Sequence, residues 1–347
     1  MVANRRCFVI AEAGVNHNGS LAMALDLIDA AADAGADAVK FQTFKAERLV
    51  AHGTPTAQYQ ADNCGAQDQL SMLRALELPD DAYPDLIERC AARAIEFMST
   101  PFDMDSARML ASLGMRRIKV GSGDLTSVPF LEDIATLGLP IILSTGMANL
   151  DEVAEAVTTL KDAWAAAGIG FEGEMLTLLH CTSNYPAQPG DVNLRAMTTL
   201  RAEFGLPVGY SDHTEGVDVP IAAVALGADV IEKHITVDRS LPGPDHRASL
   251  DPVTFREMVR SVRLVESALG SATKAVCDSE RAVRDLVRRS VATARALRRG
   301  DVLQRADLTL LRPGTGIAAR DLKAVLGKRA VRDLEGGALL SWTDLQP

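Results

Sequence analysis

The chain holds six histidines in 347 residues, and two of them stand where chemistry is expected. The stretch Leu206–His246 reads LPVGYSDHTEGVDVPIAAVALGADVIEKHITVDRSLPGPDH. Its two short apolar runs, Pro207–Tyr210 and Asp229–Ile235, meet polar clusters at Ser211-Asp212-His213 and Glu232-Lys233-His234. An alanine-rich helical pattern, Val217–Leu226, lies between them and stops at Gly227. That is strand, helix, strand, a βαβ unit with parallel strands. His213 and His234 then reach the same rim from adjacent strand ends, where two imidazoles could hold one metal ion. A lone histidine would more often cap a helix or fill the core. Two at matching strand ends favour a site.

Other ionisable residues recur at equivalent places. Lys40, with Gln42 on the same strand face, and Lys119 occupy inward positions of short apolar strands. A lysine inside a strand rarely has the snorkelling escape of a surface lysine. Thr100, Ser122, Ser144, Ser183 and Ser211 also stand at or just past strand ends. Any one hydroxyl would more often cap the next helix. Together they make a ring of donors around positive charge, which suits a phosphate and a carboxylate. Glu12 ends the first strand and is a candidate acid–base group, or else an ion-pair partner of a lysine.

The elements that would position these residues alternate regularly. Strands are expected over Cys7–Ala13, Ala38–Phe44, Glu96–Thr100, Arg117–Val120, Pro140–Leu143 and Met175–His180, followed by the two already described. Helical patterns separate them, the first capped by Ser20 and stopped by Gly35, the last running over Pro252–Leu269 to Gly270. Lys45–Pro79 reads as a long functional loop. Eight strands alternating with eight helices predict an α/β fold, a (β/α)8 TIM barrel, with its site at the C-terminal ends of the strands. An open doubly wound sheet is the alternative, but no GxGxxG follows the first strand. The expected domains are residues 1–270 as barrel, 271–289 as linker and 290–347 as a compact, mostly β module.

Composition sets outer bounds. The chain is 47% hydrophobic and only 4% aromatic, and no apolar run approaches the roughly eighteen residues of a membrane span. The apolar run after Arg5-Arg6 breaks at Glu12, so it does not read as a signal peptide. Five scattered cysteines without a CxxC suit a reduced, cytoplasmic setting. Net charge is −10, unevenly spread: Arg281–Arg332 carries fourteen Lys or Arg against four Asp or Glu. A basic segment can signal nucleic acid. Docking of a small basic module on an acidic body, its own or a partner's, is the reading we prefer, and no nucleic-acid partner is expected.

Long motifs then point to a family. IAEAGVNHNGS, ADAVKFQTFKAE, STPFD, KVGSGD, ILSTGM, HCTSNYPAQPGDVNLRAM, GYSDHTEG, VALGADVIEKHIT and GPDHRASL closely resemble the sialic acid synthases, a group that includes N-acetylneuraminate and bacterial legionaminate synthases. RPGTGI and LGKRA resemble the C-terminal antifreeze-like SAF domain, a β-clip module, of those enzymes. The resemblance covers essentially the whole chain. It implies condensation of phosphoenolpyruvate with an N-acylated mannosamine-type sugar, releasing phosphate. N-acetylmannosamine is the first expectation for the acceptor, giving N-acetylneuraminate. The alternative is 2,4-diacetamido-2,4,6-trideoxymannose, giving N,N'-diacetyllegionaminate.

By the same resemblance, Lys40, Thr100, Lys119, Ser122, Ser144, Ser183 and Ser211 match phosphoenolpyruvate-binding positions. His213 and His234 match ligands of a divalent metal, Mn²⁺ or Mg²⁺. Glu12 matches the catalytic glutamate. Gln42, Tyr185, Asp245 and, in a loosely aligned loop, Asn63 match sugar contacts. Arg312 matches an arginine that one subunit's antifreeze-like domain inserts into the other subunit's site. A domain-swapped homodimer is therefore expected, in keeping with the uneven charge.

Overall fold

The computed structural model describes residues 6–56 and 68–347. The chain falls into two compact units, Met1–Gly270 and Ser271–Pro347. Eight parallel strands build the first: β1 Phe8–Gly14, β2 Ala38–Thr43, β3 Glu96–Pro101, β4 Ile118–Val120, β5 Ile141–Ser144, β6 Leu176–Cys181, β7 Val208–Asp212 and β8 Val230–His234. The ladder runs β3-β2-β1-β8-β7-β6-β5-β4, and its end strands, β3 and β4, come into contact. The unit is a nearly closed (β/α)8 barrel.

Helices alternate with the strands, and local sequence sets their ends. Ser20 accepts the N–H of Met23 at the start of Leu21–Asp33. Asn149 and Glu152 form a reciprocal capping box for Leu150–Ala166. Asp251 caps Pro252–Leu269 through the N–H groups of Val253 and Thr254. Gly205 ends Ala196–Phe204 at φ 64°, a left-handed position that glycine adopts without a Cβ clash.

The period of two along each strand divides the core. Val9, Ala11, Val39 and Phe41 point outward and pack with Leu27, Ile28 and Ala31 of the helical layer. Ile10, Ala38, Met98, Ile142, Leu179 and Val230 point inward and fill the barrel's lower interior. Gly209 belongs to this inner set: a Cβ there would meet the Val230 carbonyl oxygen at 2.3 Å. The inner apolar tier is the floor on which the polar residues one step further along each strand stand.

Two expectations need correction. Segment 45–79 is not all loop: it holds helices at Ala46–Leu49 and Gln69–Leu76. Asp68 caps the second, whose Met72 and Leu76 pack on Val15 and Phe44 and so cover the loop after β1. Likewise the segment expected as linker contains the helix Asp278–Val287, and the Gly314 N–H donates to the Asp285 carbonyl at 2.7 Å. That bond ties the helix to its own unit, the second one. Asn63 lies outside the described residues.

The second unit is a small SAF-type module. It holds two antiparallel ladders, Ser290–Thr293 with Leu308–Leu311 and Arg329–Ala330 with Leu345–Gln346. Val291, Leu297, Leu303, Ile317, Val325 and Leu340 anchor its core. Among the described residues no helix is long and apolar enough to cross a membrane. The described cysteines Cys7, Cys90, Cys181 and Cys277 are free thiols.

Candidate active site

One step above the apolar floor, strand by strand, the inward residues become polar: Glu12 follows Ile10, Lys40 follows Ala38, Thr100 follows Met98, Ser144 follows Ile142, and Glu232 follows Val230. They open into a cleft of about 480 Å³. Gln42, Lys119, Ser122, Ser183, Tyr185, Ser211, His213 and His234 also line it. A larger groove of about 810 Å³ lies outside the barrel between Val128–Ala135 and Leu150–Ala166. It is lined by Glu, Asp, Thr and Ala side chains and lacks convergent donors.

Four buried charges organise the cleft. Lys40 Nζ lies 2.5 Å from Glu12 Oε2 and 3.6 Å from Glu232 Oε2, and it donates to Thr100 Oγ1 at 3.0 Å. Lys119 Nζ lies 3.3 Å from Glu232 Oε1, which also accepts from Ser211 Oγ at 2.8 Å. Gln42 Nε2 reaches Glu12 Oε1 at 3.4 Å. Two cations and two anions thus neutralise one another where a lone charge would be costly.

They are not equivalent. Burial pushes the Glu12 carboxyl up against the opposing pull of Lys40, into the neutral pH range. Burial acts on Glu232 too, but Lys119 and Lys40 together outweigh it and hold its carboxyl below the usual range. Burial draws Lys40 down, but Glu12 and Glu232 overcome this and keep its ammonium charged. Lys119 is drawn below the usual lysine range by burial, which Glu232 offsets only in part. An incoming anion would therefore be welcomed most at Lys119.

Hydroxyls complete this side. Ser144 is buried and its Oγ has no hydrogen-bond partner. The Gly146 N–H donates to Ser122 Oγ at 3.0 Å. A Cβ on Gly146 would fall 2.4 Å from Ser183 Oγ and 2.8 Å from Ser122 Oγ. Glycine is what lets that backbone come close to the two hydroxyls.

The histidines face each other across the rim, ring centroids 5.5 Å apart. His213 Nδ1 lies 2.7 Å from the Thr182 carbonyl oxygen, which makes Nδ1 the donor and leaves Nε2 as an electron pair. His234 Nδ1 is buried without a hydrogen-bond partner and lies 3.9 Å from Asp245 Oδ2. Burial lowers both imidazoles and keeps them neutral, as a metal ligand must be. Among the described residues no group of three or more His, Cys, Asp or Glu forms a cage. The donor set fits a cation held by two imidazoles with its other positions left to solvent or substrate.

Tyr185 packs on His213, centroids 4.1 Å apart. Asp245 is buried, and burial raises its carboxyl to about 6. Asn16 braces its loop by donating to the Ile235 carbonyl and Ser249 Oγ, and Ser249 in turn donates to the Asp245 carbonyl. Arg312 belongs to the second unit, where it follows the strand Leu308–Leu311 and is exposed.

Sequence reading missed Glu232 as a site residue, although it stands two positions before His234 and so shares its face. Gln69, Phe102, Met147 and Cys181 also line the cleft. Phe102 and Cys181 continue strand ends and were open to the same parity argument. Gln69 opens the helix Gln69–Leu76 and Met147 lies on the loop after β5, and neither carries such a signal.

Comparison with known proteins decides the family. The NeuB family model matches residues 27–274, and the SAF domain model matches residues 288–346. The chain belongs to the NeuB family. It is thereby an enzyme, a phosphoenolpyruvate-dependent transferase that forms a carbon–carbon bond. It is 50% identical to the N,N'-diacetyllegionaminic acid synthase of Legionella pneumophila, over 98% of this chain and 95% of that one. Identity to the Campylobacter jejuni protein of the same name is 42%, over 97% and 99%. The crystal structure of N-acetylneuraminic acid (sialic acid) synthetase from Leptospira borgpetersenii, in complex with citrate, aligns with TM-score 0.70 and 35% identity, covering 81% of this chain and 91% of that one.

Proposed function

We propose that this NeuB-family enzyme condenses phosphoenolpyruvate with 2,4-diacetamido-2,4,6-trideoxymannose, giving N,N'-diacetyllegionaminate and phosphate. The observation that carries the chemistry is the unpartnered, buried Ser144 hydroxyl in the same cleft as Lys119 and Lys40, a donor set suited to an anion. The choice of acceptor reverses the first expectation from sequence. It is supported by 50% and 42% identity to proteins named for the legionaminic acid product, against 35% for the human N-acetylneuraminate-9-phosphate synthase.

Lys119, Ser122, Ser144 and Ser183 hold the phosphate in this reading, and Lys40, Thr100 and Ser211 hold the carboxylate side. The anions of the substrate then replace carboxylates as partners of the lysines. Gln42, Tyr185 and Asp245 orient the open-chain sugar, with its C1 aldehyde next to C3 of phosphoenolpyruvate. His213 and His234 would hold a divalent cation, Mn²⁺ or Mg²⁺, which supplies Lewis-acid polarisation of an oxygen when bound. The enol π pair forms the new bond from C3 to the aldehyde carbon, the C=O π pair moves to the aldehyde oxygen, which takes a proton and becomes a hydroxyl, and C2 becomes an oxocarbenium ion. Water adds at C2, and Glu12, poised near neutrality, takes its proton at the carboxylate oxygen. The tetrahedral intermediate collapses with C–O cleavage and expels phosphate. Fixing two reactants side by side contributes about 7–11 kcal/mol in favourable cases.

The working form in this proposal is a cytoplasmic homodimer in which Arg312 of one copy reaches the sugar in the other. Phosphate release from phosphoenolpyruvate, measured with each acceptor, with and without EDTA and Mn²⁺, tests the function. We expect metal-dependent turnover that favours the diacetamido sugar. Turnover with N-acetylmannosamine alone would return the acceptor to the first expectation. Absence of phosphate with both would sink the proposed reaction.

A further inference from the structure

Two charged residues beside the paired histidines do not line the cleft. Ser211 and His213 face it, as do Glu232 and His234. The period of two therefore turns Asp212 and Lys233 to the opposite face, between the barrel and its helices. They stand directly opposite each other in the β7–β8 ladder. Lys233 Nζ lies 2.6 Å from Asp212 Oδ2, and both side chains are wholly buried.

The pair is closed by hydrogen bonds that bracket His213. Asp212 Oδ1 accepts from the Thr214 N–H at 3.1 Å and from Thr214 Oγ1 at 2.9 Å. Lys233 Nζ also donates to the Thr214 carbonyl. One carboxylate and one ammonium thus bind the backbone on both sides of His213 to the residue preceding His234. Stability alone does not call for this. Desolvating two charges costs about what their attraction returns, and a well-packed apolar pair often serves as well or better. What the charges add is direction, because hydrogen bonds fix angles that apolar packing leaves loose.

We propose that Asp212 and Lys233 are positioning residues for a divalent cation, setting the separation and orientation of the His213 and His234 rings. This rests on the reading of those histidines as metal ligands. Outer partners of metal ligands typically govern affinity by about tenfold to a hundredfold, and this clamp is an outer partner of both at once.

The test uses the full chain and Mn²⁺ alone, followed by electron paramagnetic resonance of the free ion and by calorimetry. Three variants are compared with wild type: Asp212→Asn, the apolar double variant Asp212→Leu with Lys233→Met, and His213→Ala. Urea unfolding is run on each. The double variant should unfold at or above the wild-type midpoint, yet bind Mn²⁺ about tenfold to a hundredfold more weakly. Asp212→Asn keeps the shape and should weaken Mn²⁺ in the same direction, so it decides the matter if the double variant does not fold. Wild-type Mn²⁺ affinity in Asp212→Asn overturns the proposal, whatever happens to stability, because the pair is then merely structural. Equal Mn²⁺ binding in wild type and His213→Ala, or none in either, would instead remove the histidine reading and the clamp's role with it.

Discussion

Glu232 serves two lysines and a serine with one carboxylate. Replacing it by Gln leaves Lys40 and Lys119 sharing one buried anion. We expect Glu232→Gln to lose about 3 kcal/mol of stability in urea unfolding, and millimolar phosphate to restore more stability in the variant than in wild type. Equal phosphate effects in both would argue against an anion seat between the lysines. His17 gives a second, independent signal. Burial holds its imidazole down at about 4, and its Nδ1 accepts the Gly19 N–H at 3.0 Å. Its ordinary value is about 6.5, so the unfolded chain binds the proton first. The stability it contributes is present above that value and is lost as pH falls through about 4, a loss on the order of 3 kcal/mol. His17→Asn, which keeps an acceptor for Gly19, should flatten that acid limb in unfolding measured from pH 7 to 4. At this scale residue type spoke plainly for Lys40, Lys119 and Glu12. Parity with His234 also offered Glu232, but only the folded barrel shows that two lysines share its carboxylate.

Strands and loops behave as units. β1, β2, β3, β5 and β8 each place an apolar residue under a polar one, so damage to the floor should be felt in the tier above. Leu179 is wholly buried in the inner apolar set. Leu179→Ala should cost about 2–5 kcal/mol of stability. The loop after β5 makes a sharper demand at Gly146, whose position leaves no room for a Cβ between Ser122 and Ser183. Gly146→Ala should raise KM for phosphoenolpyruvate about tenfold or more, with a loss of about 1–3 kcal/mol of stability as the neighbouring side chains give way. A wild-type KM would show that these hydroxyls do not hold the substrate. Strand positions were legible because parallel barrel strands are short apolar runs bounded by helix caps. The helices at Ala46–Leu49 and Gln69–Leu76 were not, because both are short, and the second packs on Val15 and Phe44, which are distant from it in sequence.

At the scale of the whole molecule, the proposed exchange of Arg312 between copies has a direct test. Lys119→Ala and Arg312→Ala should each be nearly inactive alone. If Arg312 acts across the dimer, unfolding and refolding an equal mixture creates heterodimers with one complete site of two. Phosphate release should then recover to roughly a quarter of wild type. No recovery would mean that Arg312 serves its own chain or none. The second unit was legible in sequence as an SAF-type module through RPGTGI and LGKRA. Its helix Asp278–Val287 was masked by a composition that reads as linker.

By itself the sequence determined the alternation of strands and helices, the tier of strand-end residues and the family, since all three are written in local period and local motif. Tertiary structure alone decided which of those residues touch. It showed that two lysines share Glu232, that Gly146 must admit two hydroxyls, and that Asp212 and Lys233 form a buried pair on the strands that carry the histidines. The physical reason is the same in each case. Periodicity states which face a residue takes, whereas charge neutralisation and close approach depend on strands brought together from far apart in the chain.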